Sequence, residues 1–271
     1  MIEQRQEATD HRDAAPRLGK ADLHMHTTLS DGIHTVEKVL EYVQQETDLD
    51  IIAVTDHDNF KGGLLAREIA ARRNYRFEVV LGAEITTRQG HLLCYFFDDS
   101  GYRGNYKMYK PVEEVVHDVL DAGGLCVAPH ALSWLTLSLG EGSINKLFEL
   151  KLPLSAIETM NPSIAARVSN KKVREMNRAV WHLPEVGNSD SHAAHLVGSS
   201  YTAFAGNTAA DLEQAMRDGT TAAMGEFWSV RQHTDIAAAN LVRSWLLLPA
   251  SHVRRGVNNM LGRGEEQEQR R

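Results

Sequence analysis

The sequence predicts an α/β fold arranged as a (β/α) barrel, and three observations support this. Apolar strand-like runs alternate with helical patterns in units of about 30 residues. Seven or eight such units fit within the 271 residues. Short motifs rich in histidine and acidic residues lie where strand-like runs end, which is where barrels carry their catalytic residues.

The elements follow one another in a regular order. The strand-like runs lie near 21–25, 50–55, 78–83, 91–97, 124–128, 154–160 and 184–188, with an eighth near 221–225. Helical patterns lie near 35–46, 61–73, 111–122, 143–150, 164–181 and 208–218. Because helices separate the strands, we expect the strands to run parallel.

The two ends of the chain differ in composition from its body. Residues 1–18 are predicted as a polar tail and residues 262–271 as a charged tail, which leaves 19–228 for the barrel. Residues 229–261 are predicted as a C-terminal helix with an apolar stretch at 234–248. We expect this helix to cover the barrel or to contact a dimer partner. The alternative, a helix on a membrane surface, is disfavoured by its few basic residues.

The composition excludes several classes of protein. No run of about 18 apolar residues occurs, and the polar N-terminus does not resemble a secretory signal, so we expect no membrane association. Cys94 and Cys126 lie in apolar runs and are predicted to be reduced and buried, which favours a cytoplasmic location. A net charge of −7 without a basic block argues against a protein that coats duplex nucleic acid.

Six histidines and three carboxylates occupy motifs at the strand-like runs. The motifs read ADLHMHTTLSDG, IIAVTDHD, VVLGAEI, QGHLLCYFF, GLCVAPH and GNSDSH. The nine residues are His24, His26, Asp31, His57, Glu84, His91, His130, Asp190 and His192. Imidazole together with carboxylate suits manganese, iron or zinc, and nine ligands are too many for one ion. The sequence therefore predicts a cluster of two to three divalent transition metals.

Local spacing agrees with this cluster. His24 and His26 are two residues apart, so an extended segment places both on one side, where they can bind the same ion. Asp31 follows in a glycine-containing turn that can fold back toward them. Glu84 ends an apolar strand, and a buried carboxylate there needs a counter-charge such as a metal.

Two acidic residues beside His57 are interpreted differently. Asp56 and Asp58 flank it just before a predicted helix. We expect them to cap that helix or to orient the metal ligands by hydrogen bonds, rather than to bind metal themselves.

Taken in order, the motifs resemble those of the PHP family, the polymerase and histidinol phosphatase group of metal-dependent phosphoesterases. The resemblance runs from Ala21 to Gly225 and also includes a strand ending in IETMN. It implies a distorted seven-stranded (β/α)7 TIM-like barrel that holds three metals. It further implies three ligand sets: His24, His26, Glu84 and Asp190; Asp31, His57 and His192; and Glu84, His91 and His130, with Glu84 bridging.

Such a site suits the hydrolysis of a phosphate ester, with metal-bound hydroxide as the nucleophile. Three divalent ions against three carboxylates leave a surplus of about three positive charges, which attracts phosphate and stabilises charge on its oxygens. The pKa of metal-bound water falls to about 7 to 9. Motifs for a nucleophilic serine or cysteine, a P-loop or a dinucleotide loop are absent from the sequence. We expect Glu84 and Asp190 to be catalytic, and the substrate to be a small phosphorylated metabolite or nucleotide.

Four further residues are candidates for roles around the metals. His195, just beyond the SDSH motif, is a candidate general acid. Arg103 and Lys107 in the loop DDSGYRGNYKMYKP, and Arg167, are candidates to bind the substrate phosphate. The alternative for each is an ordinary solvated side chain.

The spacing between two predicted ligands bears on substrate size. Only 38 residues lie between His91 and His130, enough for one loop and one helix. We therefore expect an open site without a deep enclosing cap, and modest selectivity for the rest of the substrate.

The residues leave other functions open. These are a phosphodiesterase or nuclease acting on oligonucleotides, an amidohydrolase-like hydrolase, and a non-catalytic metal-binding domain. An amidohydrolase also uses HxH after the first strand, but usually has a bridging lysine where this chain has Glu84. The sequence does not determine the natural substrate, the native metal or the oligomeric state.

Overall fold

The computed structural model describes residues 17–104 and 106–229. Within these residues the strands are β1 (Leu18–Asp22), β2 (Ile51–Ile52), β3 (Glu78–Val79), β4 (Leu81–Thr86), β5 (His91–Phe96), β6 (Leu125–Ala128), β7 (Ala156–Met160), β8 (Glu185–Gly187), β9 (Ser200–Ala205) and β10 (Ala222–Gly225). The helices are α1 (Val36–Glu46), α2 (Lys61–Arg73), α3 (Val112–Asp121), α4 (Glu141–Glu149), α5 (Ile164–Met176) and α6 (Ala209–Asp218).

The strands form two five-stranded sheets, in the orders β10-β9-β1-β2-β3 and β4-β5-β6-β7-β8. Strands β1, β2 and β3 are parallel, and so are β6, β7 and β8. The α/β class is therefore confirmed. Closure into a (β/α)7 barrel stays a prediction, because the described strands pair within two sheets and not in one continuous ring.

The expectation of parallel strands throughout is wrong at two places. Strand β5 is antiparallel to β4 and β6. Only residues 87–90 connect β4 to β5, and so short a connection permits a hairpin but no parallel crossover. The second place is β9, which the sequence did not predict and which runs antiparallel to both β1 and β10.

An apolar interior lies between the two sheets. It contains Leu23, which directly follows β1 of the first sheet, and Leu93, Tyr95 and Val127 from the second sheet, all almost fully buried. The Tyr95 hydroxyl donates to the Leu23 carbonyl oxygen at 2.7 Å and so links the sheets directly. Burial of a side chain of this size contributes about 1.5–3 kcal/mol, so this interior fixes the two sheets against each other.

Three of the six described α-helices begin at a capping side chain. The side chains of Thr35 and Ser163 accept hydrogen bonds from backbone N–H groups at the starts of α1 and α5. Thr208 and Asp211 form a reciprocal capping box at α6. Each such cap contributes about 1 kcal/mol, which explains why these helices begin where they do.

The two cysteines are buried and free, as predicted. Cys94 and Cys126 face each other across β5 and β6. Burial raises the pKa of the Cys94 thiol, which keeps it protonated and unreactive.

The predicted ligand motifs lie together at one end of the interior. We call it the ligand end: the C-terminal ends of β1, β2, β4, β6, β7 and β8 together with the start of β5. The start of β5 belongs there because the hairpin pairs His91 with Thr86 at the end of β4. Isolated bridges between Met25 and Ser191, and between His57 and Glu84, also join motifs from different strands.

Several predictions fall outside the described residues. These are most of the N-terminal tail, the C-terminal helix and the charged tail at 262–271. In the part of the chain that is described, no helix has the length and apolar character needed to cross a membrane.

Candidate metal centre

Glu84 lies at the centre of the ligand end. Its side chain is almost completely buried, and both carboxylate oxygens face imidazole nitrogens. Oε2 lies 3.3 Å from nitrogens of His24, His26 and His57, and Oε1 lies 2.9 Å from His91 and 3.1 Å from His130. One carboxylate thus contacts five of the six predicted histidine ligands.

Asp190 approaches the same histidines from another strand end. Its Oδ1 lies 3.3 Å from His24 Nε2 and 3.4 Å from His26 Nε2. Its backbone φ of 50° is in the left-handed region, which is uncommon for a residue other than glycine. A strained backbone of this kind is often found where a side chain must be aimed at a functional site.

Asp31 contacts the histidines on the more exposed side of the cluster. Its Oδ2 lies 3.0 Å from His192 Nε2 and 3.6 Å from His57 Nε2, and its Oδ1 lies 3.7 Å from His26 Nδ1. The Asp31 side chain is 48% exposed, so solvent reaches the cluster from this side.

All nine predicted ligands therefore converge. We distinguish inner ligands, at most 5% exposed, from outer ligands, 14–48% exposed. The inner ligands are His24, His26, Glu84 and His130. The outer ligands are Asp31, His57, His91, Asp190 and His192.

The ligand atoms form four overlapping groups, each within 4.8 Å. One group is His26, Asp31, His57 and His192, which adds His26 to a set implied by the family resemblance. The others are His24, His26 and Glu84; His24, His130 and Asp190; and His57, Glu84 and His91. The first of these three lies within an implied set, whereas the other two each combine ligands from different implied sets.

The donor atoms fit divalent metal ions. His24 Nε2, both ring nitrogens of His26 and His57 Nδ1 are buried and have no hydrogen-bond partner. Leaving such an atom unsatisfied costs about 1–3 kcal/mol. These nitrogens face carboxylate oxygens, and a cation between them satisfies both. Nitrogen and oxygen donors of this kind accept manganese, iron or zinc.

The charges of these groups depend on one another. Burial disfavours protonation of His26, but Asp190 and Glu84 outweigh it and raise the pKa of His26 to about 10. Burial likewise opposes ionisation of Glu84, yet His24 and His130 hold the pKa of Glu84 well below its usual range. Metal binding therefore displaces protons that otherwise balance the carboxylates.

The side chains of Asp56 and Asp58 hold segments next to the predicted ligands, and their role in orienting the ligands themselves stays a prediction. Asp56 accepts hydrogen bonds of 2.7 Å from the backbone N–H and hydroxyl of Thr27 and from the hydroxyl of Ser30. Asp58 accepts from the backbone N–H and hydroxyl of Thr86 at 2.7 and 2.8 Å. The alternative of helix capping is wrong, because α2 begins without a side-chain cap.

Gly90 allows two ligand-bearing loops to meet. Its φ is 149°, and a Cβ atom there would lie 2.3 Å from the carbonyl carbon of Ser138. This close approach lets the His91 N–H donate to the Leu137 carbonyl at 2.9 Å. On the other loop, the Ser138 hydroxyl lies 2.9 Å from His130 Nδ1. The glycine before His91 is therefore required by the contact with the loop after His130.

The sequence analysis missed two polar residues beneath the ligands. Glu158 in β7 and Asn188 after β8 are fully buried and hydrogen-bonded to each other at 3.0 Å. A signal for Glu158 was present, since a carboxylate inside an apolar strand-like run needs a specific partner.

Arg103 and Lys107 lie apart from the ligand contacts. Arg103 pairs with Asp121 at the C-terminal end of α3, with 3.4 Å between the charged atoms. Together with Lys107 it lines a cavity of about 390 Å³ that contains none of the predicted ligands.

His195 and Arg167 are also not joined to the ligands by a described contact. His195 is exposed in a short turn (Ala194–Leu196), and its carbonyl accepts a hydrogen bond from the Tyr42 hydroxyl. Arg167, in the first turn of α5, stacks on the Phe227 ring with 4.8 Å to its centroid.

Comparison with known proteins gives two family matches and two curated relatives. A PHP domain matches residues 22–127, and a PHP-associated segment matches 169–221. An uncharacterized protein of Methanocaldococcus jannaschii is 27% identical over 177 residues, which is 61% of this chain and 94% of that protein. A phosphoribosyl 1,2-cyclic phosphate 1,2-diphosphodiesterase of Eggerthella lenta is 42% identical over 65 residues, 24% of either chain.

Solved structures share the fold at low sequence identity. A two-domain protein of Bacteroides vulgatus, described as containing a PHP-like metal-dependent phosphoesterase, has a TM-score of 0.62 and 19% identity, covering 83% of this chain and 70% of that one. A lesion-specific endonuclease of Pyrococcus furiosus has a TM-score of 0.55 and 14% identity, covering 82% and 66%. The chain therefore contains a PHP domain at residues 22–127, followed by a PHP-associated segment at 169–221.

Proposed function

We propose that the protein hydrolyses phosphate esters at a centre of two to three divalent metals at the ligand end. The observation that carries this proposal is the position of Glu84, whose two oxygens contact five imidazoles from four different segments. A buried carboxylate shared in this way suits a bridge between ions better than a single ion pair.

In this proposal the inner and outer ligands have different roles. When bound, the metals supply positive charge for the phosphoryl oxygens and activate water for attack. The inner ligands hold that charge in a fixed, water-poor position beneath the substrate, where electrostatic interactions are strong. The outer ligands, with Asp31 half exposed, form the side from which a phosphate enters.

We propose that the substrate is a small phosphorylated metabolite or nucleotide. The segment between His91 and His130 supports this, because it contains a short turn (Asp99–Gly101) and α3 but no inserted domain. The phosphate then provides most of the affinity, through the metals.

A second candidate is the hydrolysis of a phosphodiester. The specific observation that favours it is the 42% identity, over 65 residues, to an enzyme named for a cyclic ribosyl phosphodiester. An amidohydrolase is less well supported, because this chain has Glu84 where an amidohydrolase usually has a bridging lysine.

The test is a turnover screen on full-length protein stripped of metal and reloaded separately with manganese, iron or zinc. The panel contains an aryl phosphate monoester, an aryl phosphodiester, nucleotides, a cyclic ribosyl phosphate and an amide. We expect turnover of at least one phosphate ester, lost on chelation and restored by metal. Turnover of the amide alone, or of nothing by folded and metal-loaded protein, contradicts the proposal.

A further inference from the structure

Glu158 is a fully buried carboxylate in the middle of β7, directly beneath the ligand end. In the described residues no lysine or arginine forms an ion pair with Glu158. Its one ionisable partner there is the His24 imidazole. A carboxylate is costly to bury, so its environment must offset that cost through hydrogen bonds.

Three donors to Glu158 are unambiguous. The backbone N–H of His130 donates to Oε2 at 2.7 Å, and the side-chain amide of Asn161 donates to the same oxygen at 3.0 Å. The side-chain amide of Asn188 donates to Oε1 at 3.0 Å. Both oxygens of Glu158 therefore accept hydrogen bonds from donors fixed on other segments.

The orientation of the two amides is fixed by their other ends. The Asn161 side-chain oxygen accepts from the Ser163 N–H at 3.1 Å, and the Asn188 side-chain oxygen accepts from the Leu23 N–H at 3.0 Å. Each amide nitrogen must then face Glu158, since the opposite orientation would place donors against donors.

This arrangement determines which nitrogen of His24 is free. His24 Nδ1 lies 3.3 Å from Glu158 Oε1, and the pair forms a hydrogen bond when Nδ1 carries the proton and the carboxylate oxygen accepts. The lone pair of the neutral ring is then on Nε2. That atom has no hydrogen-bond partner and lies 3.3 Å from oxygens of both Glu84 and Asp190.

Glu158 also supports a strained backbone. His130 has a φ of 30°, which is unfavourable for a residue with a side chain. Its N–H is held by Glu158, while its ring reaches Glu84 at 3.1 Å. One carboxylate thus contacts two ligand-bearing segments from below.

We propose that Glu158 is a positioning residue that fixes His24 in the tautomer binding metal through Nε2 and holds the His130 backbone in its strained conformation. This inference rests on the proposed metal-dependent function. Carboxylates that orient metal-binding histidines in this way typically change metal affinity by about 10–100-fold when replaced.

The first test is zinc affinity of full-length Glu158→Gln, measured by competition with a chelator. Glutamine keeps one acceptor but turns an NH2 group toward existing donors, so we expect zinc to bind about 10–100-fold more weakly. The matched control is Glu185→Gln on the adjacent strand, whose carboxylate accepts from Thr159 and contacts no predicted ligand. We expect the control to bind zinc like the original chain. Equal zinc affinity for Glu158→Gln and the original chain overturns the inference.

The second test observes His24 in the unmodified chain, so its result does not depend on whether Glu158→Gln folds. In ¹⁵N-histidine NMR of zinc-loaded protein, we expect the His24 signals, identified by their loss in His24→Ala, to show a proton on Nδ1 and zinc on Nε2. Zinc on Nδ1 overturns the inference. Correct zinc binding without hydrolysis of any phosphate ester would instead reject only the proposed function.

Discussion

The inner ligand Glu84 and the outer ligand Asp31 are held in place by different means. Inner ligands such as Glu84 lie in or just beyond strands, and His24 and His130 receive support from the buried Glu158. The outer ligand Asp31 lies in a turn and is half exposed. We propose from this comparison that the inner ligands would set the geometry of bound metals, whereas the exposed side at Asp31 would admit solvent and substrate.

The largest expected effect is that of metal removal. Gently purified protein should carry two to three transition-metal equivalents, and a chelator should abolish activity. Because Asp31 and His57 are accessible to solvent, we expect loss in two phases, with the metal at the outer ligands leaving first. Elemental analysis alongside activity measures this. A folded and active protein without metal would exclude the entire metal interpretation.

The next largest expected effect is a difference in kcat/KM between substitutions of an inner carboxylate, Glu84, and an outer carboxylate, Asp31. Glu84→Gln should lower kcat/KM by about 10²–10³-fold or more, since an interaction that stabilises transition-state charge is lost. Asp31→Asn should lower it by about tenfold, because it contacts fewer ligands and is partly screened by solvent. Steady-state kinetics at saturating metal measures both. If Glu84→Gln behaved like the original chain, the bridging assignment would be wrong.

A smaller effect tests how the turn that carries Asp31 is held. Asp56→Asn removes a carboxylate that accepts three hydrogen bonds from Thr27 and Ser30. We expect the loss of about one metal equivalent and roughly tenfold lower kcat/KM, with the inner ligands still loaded. The control is Asp211→Asn at the α6 capping box, which should cost about 1 kcal/mol of stability without metal loss. Unchanged metal content in Asp56→Asn would show that metal binding does not depend on the hydrogen bonds of Asp56 to that turn.

The smallest effects are expected at the candidate substrate residues. Arg167→Ala should raise KM while kcat stays within about tenfold, the pattern of lost ground-state binding. Arg103→Ala and Lys107→Ala should change KM less, because Arg103 pairs with Asp121 away from the ligand contacts. His195→Ala should leave kcat within about threefold, since the side chain is exposed and joined to no ligand. A large loss of kcat in His195→Ala would instead support its role as general acid.

Much of the fold was predictable because strand ends and ligand motifs coincide in the sequence. The predicted strand near 91–97 is observed as His91–Phe96, and the helix near 61–73 as Lys61–Arg73. Strand direction was not predictable in the same way, because a hydrophobic run carries no polarity. The direction of β5 depends on the short connection before it, and β9 became a strand only through pairing with β1 and β10.

The identity of the ligands was more predictable than their grouping. Each motif lies beside a strand end, so convergence follows from the fold. Grouping depends on side-chain rotamers and on which ring nitrogen faces the cluster, and spacing along the chain does not encode either. Glu84 illustrates this, since it contacts histidines from every proposed set. Glu158 was missed for a related reason, because its role depends on groups far away in sequence such as His24 and Asn188.

The register of the hairpin between β4 and β5 determines which face of the sheet carries His91. Thr86 pairs with His91, and Glu84 pairs with Leu93, so Glu84 and His91 share one face of the sheet. Side chains alternate between faces, so one inserted residue in the turn at 87–90 would rotate His91 to the opposite face. Gly90 is packed against the Ser138 backbone, which leaves no room to absorb the change. We therefore expect the length of this four-residue turn to matter for metal binding as much as the imidazole that follows it.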